Sequence, residues 1–537
     1  MKAWLGGSLF ASIAVLYACV GSDPVFGPNE EDAGTANDAA VPESAAPVTP
    51  TLQVEATPRV FVPPNVATDV KVTITRAGFD GPVKIEIDKL PDGIIADGAP
   101  TIAAGQTTAT IRLSTSSSTQ AFSRAKITAA FEGANPITVS TDVEVTVRGK
   151  SGEADTTFGV AGVVDLASSN VGESIMDAIT DNEGRIYLLL PDLGDPKKCR
   201  VFRTTPNGAI DASGWGTNGI VDFRRSGDKP IVCVALALQA DGKVLVGGND
   251  DLGGAGNVAW VARASGTAVN GSFLDTTYGT GGFALTNGTA VYGVTVDTKE
   301  RALVRGRTGS SNYLRRVSTS GTIDNTFSLT SSNVLDTLAG ALVATTSGAI
   351  YGTRAGGSDV FRLSESGALD TTFGSSGFLA VPKPAGALEA ELNGFRLDSK
   401  GRIVGIGKTD FDTTVGGVVV RLDGDKFDTT FGPDHNGLAY VTGTYNLQYV
   451  NVVVDETDGI IAASNEQRSP TDTRVVLTRF VDGAVDSIFS PGGIRSLPAI
   501  GGIADVRGLV LQEQRVLVLL FVQLDGKFHP ILARLWR

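Results

Sequence analysis

Three acidic side chains, Asp177, Glu391 and Asp505, together with Asn393, Asn451 and Arg507, are the groups of this chain best suited to work on a polar ligand. Carboxylates that flank a glycosidic bond are brought together by geometry and need not be close in sequence, so these acids could serve hydrolysis or simple recognition. Glu173 and Gln448 belong to the same polar set. Other chemistries find little material. The chain has two histidines, His435 and His529, and neither has a partner at metal-ligand spacing such as HExxH. GxSxG elbows, Walker loops, strand-to-helix GxGxxG turns and DxDxDG calcium loops are lacking. No catalytic residue, metal or cofactor is therefore expected. The six residues are expected to bind a protein or glycan ligand, and the alternative is a glycan-active hydrolase or lyase with its carboxylates at one mouth of the fold.

The elements that would position them come from a repeat. Beginning at Asp155, Asp211, Asp275, Asp324, Asp370, Asp428 and Asp486, the chain returns to an Asp, small polar residues, an aromatic, a turn and a short apolar strand, as in DTTFGVAGVV and DTTYGTGGFAL. A spacing of about 55 residues marks one supersecondary unit stacked on its copies. Each unit also carries a polar hairpin turn between apolar runs, such as QADGKVLVGG from Gln239 and DSKGRIVGIG from Asp398. A third strand carries an arginine: Arg203, Arg263, Arg316, Arg362, Arg421, Arg479 and Arg534.

These units resemble the delta-60 repeat family, whose DTTFG-type turn is followed by a DGKI-type hairpin and a VxRL strand. The resemblance covers residues from about 155 to 537. A residue that recurs in every unit serves what every unit needs. Asp can accept from backbone amides two residues on and pair with an arginine, and aromatics such as Phe158, Trp215, Tyr278, Phe373 and Phe431 suit wedges between units.

Each Arg precedes the next unit's Asp, yet Arg534 has no Asp after it and Asp155 no Arg before it. A closed ring supplies both partners at once. The expected fold is all-β: a seven-bladed β-propeller over residues 150–537, closed by the segment from Asp155 to Leu166, and preceded by an immunoglobulin-like β-sandwich over 51–149. Short alternating strands such as DVKVTITRA and STDVEVTVRG carry the sandwich reading. Alignment on the hairpins places Asp177, Ala235, Gly293, Ala341, Gly394, Val452 and Arg507 at one position of the innermost strand.

Residues 1–18 read as an export signal, because Lys2 precedes an apolar run from Leu5 to Tyr17 that is too short to span a bilayer. LYAC, ending at Cys19, resembles the lipobox of bacterial lipoproteins, which implies lipidation of Cys19 and a membrane contact through that lipid, in the outer membrane or at the cell surface. An ordinary secretory signal is the alternative, and Leu16 argues against it. Residues 19–50 read as a disordered acidic linker. Cys199 and Cys233 are either a disulfide between neighbouring units or two buried thiols. With a net charge of -13 and no basic stretch, nucleic acid is not an expected partner.

Overall fold

The computed structural model describes residues 49–166, 176–192, 194–253, 256–269, 272–335, 338–354, 356–497, 503–524 and 526–537. The expectations for Cys19, Glu173, the signal and most of the linker lie outside them. The described chain is nearly all-β, and its only α-helical segment is Ser332–Leu335.

Valine, isoleucine and threonine in period-two alternation build the first two sheets. In Thr68–Ala77, Val70, Val72 and Ile74 are buried while the residues between them face outward. That strand lies in a four-stranded sheet with Thr51–Ala56, Thr108–Thr115 and Ile94–Asp97. A five-stranded sheet runs Arg59–Val62, Ile137–Val147, Phe122–Phe131, Val83–Asp88 and Thr101–Ile102, and one core that includes Val70, Ile85, Leu113, Ile127 and Val145 joins the two.

The remaining strands form seven further sheets among the described residues. The first strands of these sheets are Asp177–Thr180, Ile231–Leu238, Ala290–Val296, Leu338–Ala344, Glu389–Leu397, Tyr449–Val454 and Ala504–Gln512. Each lies against the first strand of the next sheet, and Ala504–Gln512 lies against Asp177–Thr180, so the series is cyclic and propeller-like. Every sheet packs on both neighbours. Tyr187 and Leu189 join Leu236 and Val246 in one core, while Leu188 and Leu190 on the opposite face join Leu517 and Leu519 in another. Burial on both faces explains why second strands read as unbroken apolar runs, such as Ile186–Pro191 (IYLLLP) and Arg515–Leu524 (RVLVLLFVQL).

The last sheet is assembled from distant parts of the chain. Val163–Asp165 pairs antiparallel with Lys527–Trp536, setting Val163 opposite Ala533 and Asp165 opposite Ile531. The two-sheet module rests on this same sheet. Trp536, fully buried, meets Phe61 edge to face at 5.8 Å, and its Nε1 donates to Gln120 Oε1 at 3.0 Å. Arg59 bridges Glu144 at 2.9 Å and Glu513 at 3.0 Å across the junction.

Candidate functional site

The repeated Asp and Arg form one latch seven times. Arg203–Asp211, Arg263–Asp275, Arg316–Asp324, Arg362–Asp370, Arg421–Asp428, Arg479–Asp486 and Arg534–Asp155 are ion pairs of 2.7 to 2.9 Å. In each, the Asp main-chain N–H donates to the carbonyl of its own arginine. The other carboxylate oxygen closes the turn: Asp155, Asp275, Asp324, Asp370 and Asp428 each accept from the N–H and hydroxyl of the threonine two residues on. In six of the seven, all but that of Arg479, the guanidinium lies over the turn aromatic, from 4.3 Å for Arg534 on Phe158 to 5.0 Å for Arg203 on Trp215. Each carboxylate is thus taken up by its arginine and by its own turn, which is the structural role expected of a residue that every unit repeats.

The six candidate ligand residues occupy separate places. Asp177 lines a central cavity of about 480 Å³ enclosed by the first strands, together with Arg305 and Arg396. Glu391 and Asn393 line a smaller groove of about 180 Å³ with Arg354, Lys408 and Gln448. Asp505 meets Asn465 and pairs with Arg507 at 2.7 Å, and Arg507 stacks on Phe521. Asn451 lies on its first strand opposite Ala463. The carboxylates of Asp177, Glu391 and Asp505 therefore do not converge on one point.

Bulges account for a slip in the hairpin alignment. The pairing of first and second strands skips a residue at Val234, Tyr292, Asn393, Val450 and Arg507. Counted from the hairpins, Asp177 corresponds to Ala235, Gly293, Gly394, Asn451 and Gly508. Val452 is thus one residue past the shared position, and Arg507 is the bulged residue before it. The bulges also bring Glu391 and Asp505 to one level of their sheets, opposite Lys408 and Phe521.

Two charged residues of the central cavity, Arg305 and Arg396, escaped the sequence reading. Arg305 stands opposite Gly293, and its guanidinium lies over that position of the first strand, where a Cβ would be in ordinary contact with Nη2 at 3.6 Å. Arg396 follows Phe395 on Glu389–Leu397 and its Nη1 donates to the Phe395 carbonyl at 2.9 Å. The signal was available: Arg396 interrupts a position that is Ile179, Ala237, Thr295, Val343, Val453 or Val510 in the other sheets.

The electrostatics follow from enclosure. Burial pushes the Asp177 carboxyl up to about 6, against the pull of the Leu236 and Ala178 amides and the positive charge of Arg396. Its Oδ2 accepts from Leu236 N at 2.7 Å and its Oδ1 from Ala178 N at 2.8 Å. The same enclosure lowers Arg396 and Arg305. Arg396 remains exposed, because the cavity it lines opens to solvent.

A second charged group sits at the groove. Lys408 Nζ lies 2.7 Å from Asp410, 3.5 Å from Glu391 and 3.9 Å from Glu389. Glu389 is raised by its hydrogen bond to Asp410 and by the charge of Glu391, while Asp410 is lowered, with Lys408 and Glu389 outweighing its burial. Elsewhere, Cys199 and Cys233 are joined as a disulfide that ties two neighbouring sheets. His529 Nδ1 lies 3.0 Å from Asp165 on the paired strand. No cluster of potential metal ligands occurs among the described residues.

No family model matches the chain, and no curated protein matches it. Among solved structures it is similar to a protein of unknown function from Bacteroides caccae, at 9% identity over 60% of this chain and 85% of that one, with a TM-score of 0.26. It is also similar to prolyl oligopeptidase B from Galerina marginata, at 11% identity over 65% of this chain and 46% of that one, with a TM-score of 0.35. Likenesses at these scores carry no argument about fold or activity.

Proposed function

We propose that this chain is an exported, lipid-anchored envelope protein of the delta-60 repeat kind, in which an immunoglobulin-like sandwich carries a seven-bladed β-propeller used for non-catalytic binding of a glycan or protein. The cyclic order of the first strands supports the propeller reading, and the two sheets over one core support the sandwich. Lipid attachment at Cys19 and an outer-membrane or surface location rest on the LYAC sequence.

One observation carries the choice of binding over catalysis: Asp177, Glu391 and Asp505 occupy separate places and form no pair that could flank a glycosidic bond. The repeat aspartates are held in their latches, Asp505 by Arg507, and Asp177 by two backbone amides. Glu389 and Asp410, whose proton affinities are pushed apart, are hydrogen-bonded to one another. Carboxyl groups of a glycosidase stand at least about 5 Å apart to admit the sugar, and a directly bonded pair leaves no such gap.

Incubation of the protein with isolated envelope glycan and with solubilised envelope protein tests the reading, measuring both retention and newly released reducing ends. Retention without release is expected. Release of product that disappears in E389Q and E391Q would establish the hydrolase or lyase instead.

A further inference from the structure

The sevenfold repetition separates what the fold requires from what it does not. A side chain present in every unit is explained by the unit, whereas a charge found once, at a position that is neutral in the other units, needs its own reason. In the central cavity this criterion isolates Asp177, Arg305 and Arg396. Opposite the shared first-strand position, Arg305 replaces Leu189, Gly247, Ile406, Ala463 or Leu519 of the other sheets. These three are the only charged residues among those that line the cavity within the described residues, and the rest are apolar, glycine or threonine.

No carboxylate lies within salt-bridge distance of Arg396 among the described residues. Its one hydrogen bond, to the adjacent carbonyl, leaves Nε and Nη2 available as a fork. The cavity volume of about 480 Å³ falls within the range of about 300–1,000 Å³ typical of small-molecule sites.

We infer that the central cavity is a binding site for a small oxyanion that also bears hydroxyl groups, a sugar acid or sugar phosphate, with Arg396 holding the anionic group and Asp177 on the hydroxyl side. This deepens the binding reading above and rests on it. The oxyanion accepts from the guanidinium fork, a geometry that suits carboxylate and phosphate alike. Asp177, already accepting from two amides, retains lone pairs for a ligand hydroxyl.

Calorimetric titration of the full chain with glucuronate, glucose 6-phosphate and glucose tests the assignment and separates its two sources. Either or both anionic sugars should bind and neutral glucose should bind at least about tenfold more weakly. R396A should weaken the anionic sugars at least about tenfold while leaving the melting temperature unchanged, and R396K should restore part of the loss. Should R396A fail to fold, competition of chloride against glucuronate on the unaltered protein gives the same decision. Equal binding of glucose and glucuronate, indifference to R396A, or no binding of either anion at millimolar concentration overturns the assignment. Retention of envelope glycan or protein in the previous experiment would still stand in that case, so the two failures are distinguishable.

Discussion

Arg534 Nε lies 2.8 Å from Asp155 Oδ2, and neither residue is exposed to solvent. The two stand at opposite ends of the repeat-bearing part of the chain. Arg515, at 2.9 Å, adds a second guanidinium to the same carboxylate oxygen. The ion pair that every other sheet forms between close neighbours in sequence is made here by residues from the two extremes.

Loss of this pair should cost more than loss of any other latch. In D155N two buried guanidinium groups lose their counter-charge, and the expected destabilisation is about 3–5 kcal/mol. In the Arg362–Asp370 latch, where the Asp370 side chain is 29% exposed, D370N should cost about 1 kcal/mol. Denaturant midpoints of the two variants, compared with the parent, check the difference.

Acid should loosen the latches in a defined window. The Thr326 hydroxyl and Arg316 hold Asp324 at about 2, and at Asp428 burial is outweighed by Thr430 and Arg421, again to about 2. Both lie below the ordinary 3.8, so the folded state binds these protons less readily than the unfolded one. Their stabilisation is present above pH 4 and is lost as pH falls towards 2. Urea midpoints between pH 5 and 2 should fall for the parent, and the D324N/D428N variant should start lower at pH 5 and decline less steeply.

Asp177 has the opposite sign. With its folded value raised from 3.8 to about 6, it holds its proton longer in the folded state, so its contribution disfavours folding progressively as pH rises through that interval. Arg396 and Arg305 are the charged groups that face it in the cavity among the described residues. Protonation removes the one negative charge beside them. Glucuronate should therefore bind more tightly at pH 5 than at pH 7.5, and the difference should shrink in D177N.

Removal of the Cys199–Cys233 bridge should cost about 3–4 kcal/mol, the loop-closure value for the 34-residue separation. The C199A/C233A variant should unfold at lower denaturant than the oxidised parent. Added dithiothreitol should shift the parent towards the variant and leave the variant unchanged.

W536A should uncouple the two-sheet module. Trp536 fills the junction against Phe61, lies 4.9 Å beneath Arg515 and donates to Gln120, which also accepts from Thr156 N at 2.7 Å. Truncation of a buried tryptophan costs about 3–5 kcal/mol. Protease cleavage between residues 148 and 155 should accelerate in W536A and remain slow in the parent.

Much of the scaffold was legible because its information is local and repeated. Period-two alternation marks the strands of the first two sheets, and Asp, Thr and Gly in DTTFG specify their own turn through short-range hydrogen bonds. The unmatched Arg534 and Asp155 pointed to each other for the same reason: six other pairs had shown what each requires. The ligand candidates were less legible. Asn393 and Arg507 are bulged residues, and a bulge leaves no mark in an alignment that counts residues evenly from the hairpin.

From sequence alone came the repeat, its Asp–Arg chemistry, the strand content and the partnership of the two ends of the repeat-bearing part, because each depends on residue type at a regular spacing. Tertiary structure decided that Asp177, Glu391 and Asp505 lie apart, that Cys199 meets Cys233, and that Arg305 and Arg396 share a cavity with Asp177. Those relationships join different sheets, whose mutual approach is set by side-chain packing around the ring, and distances of that kind are not encoded in any spacing along the chain.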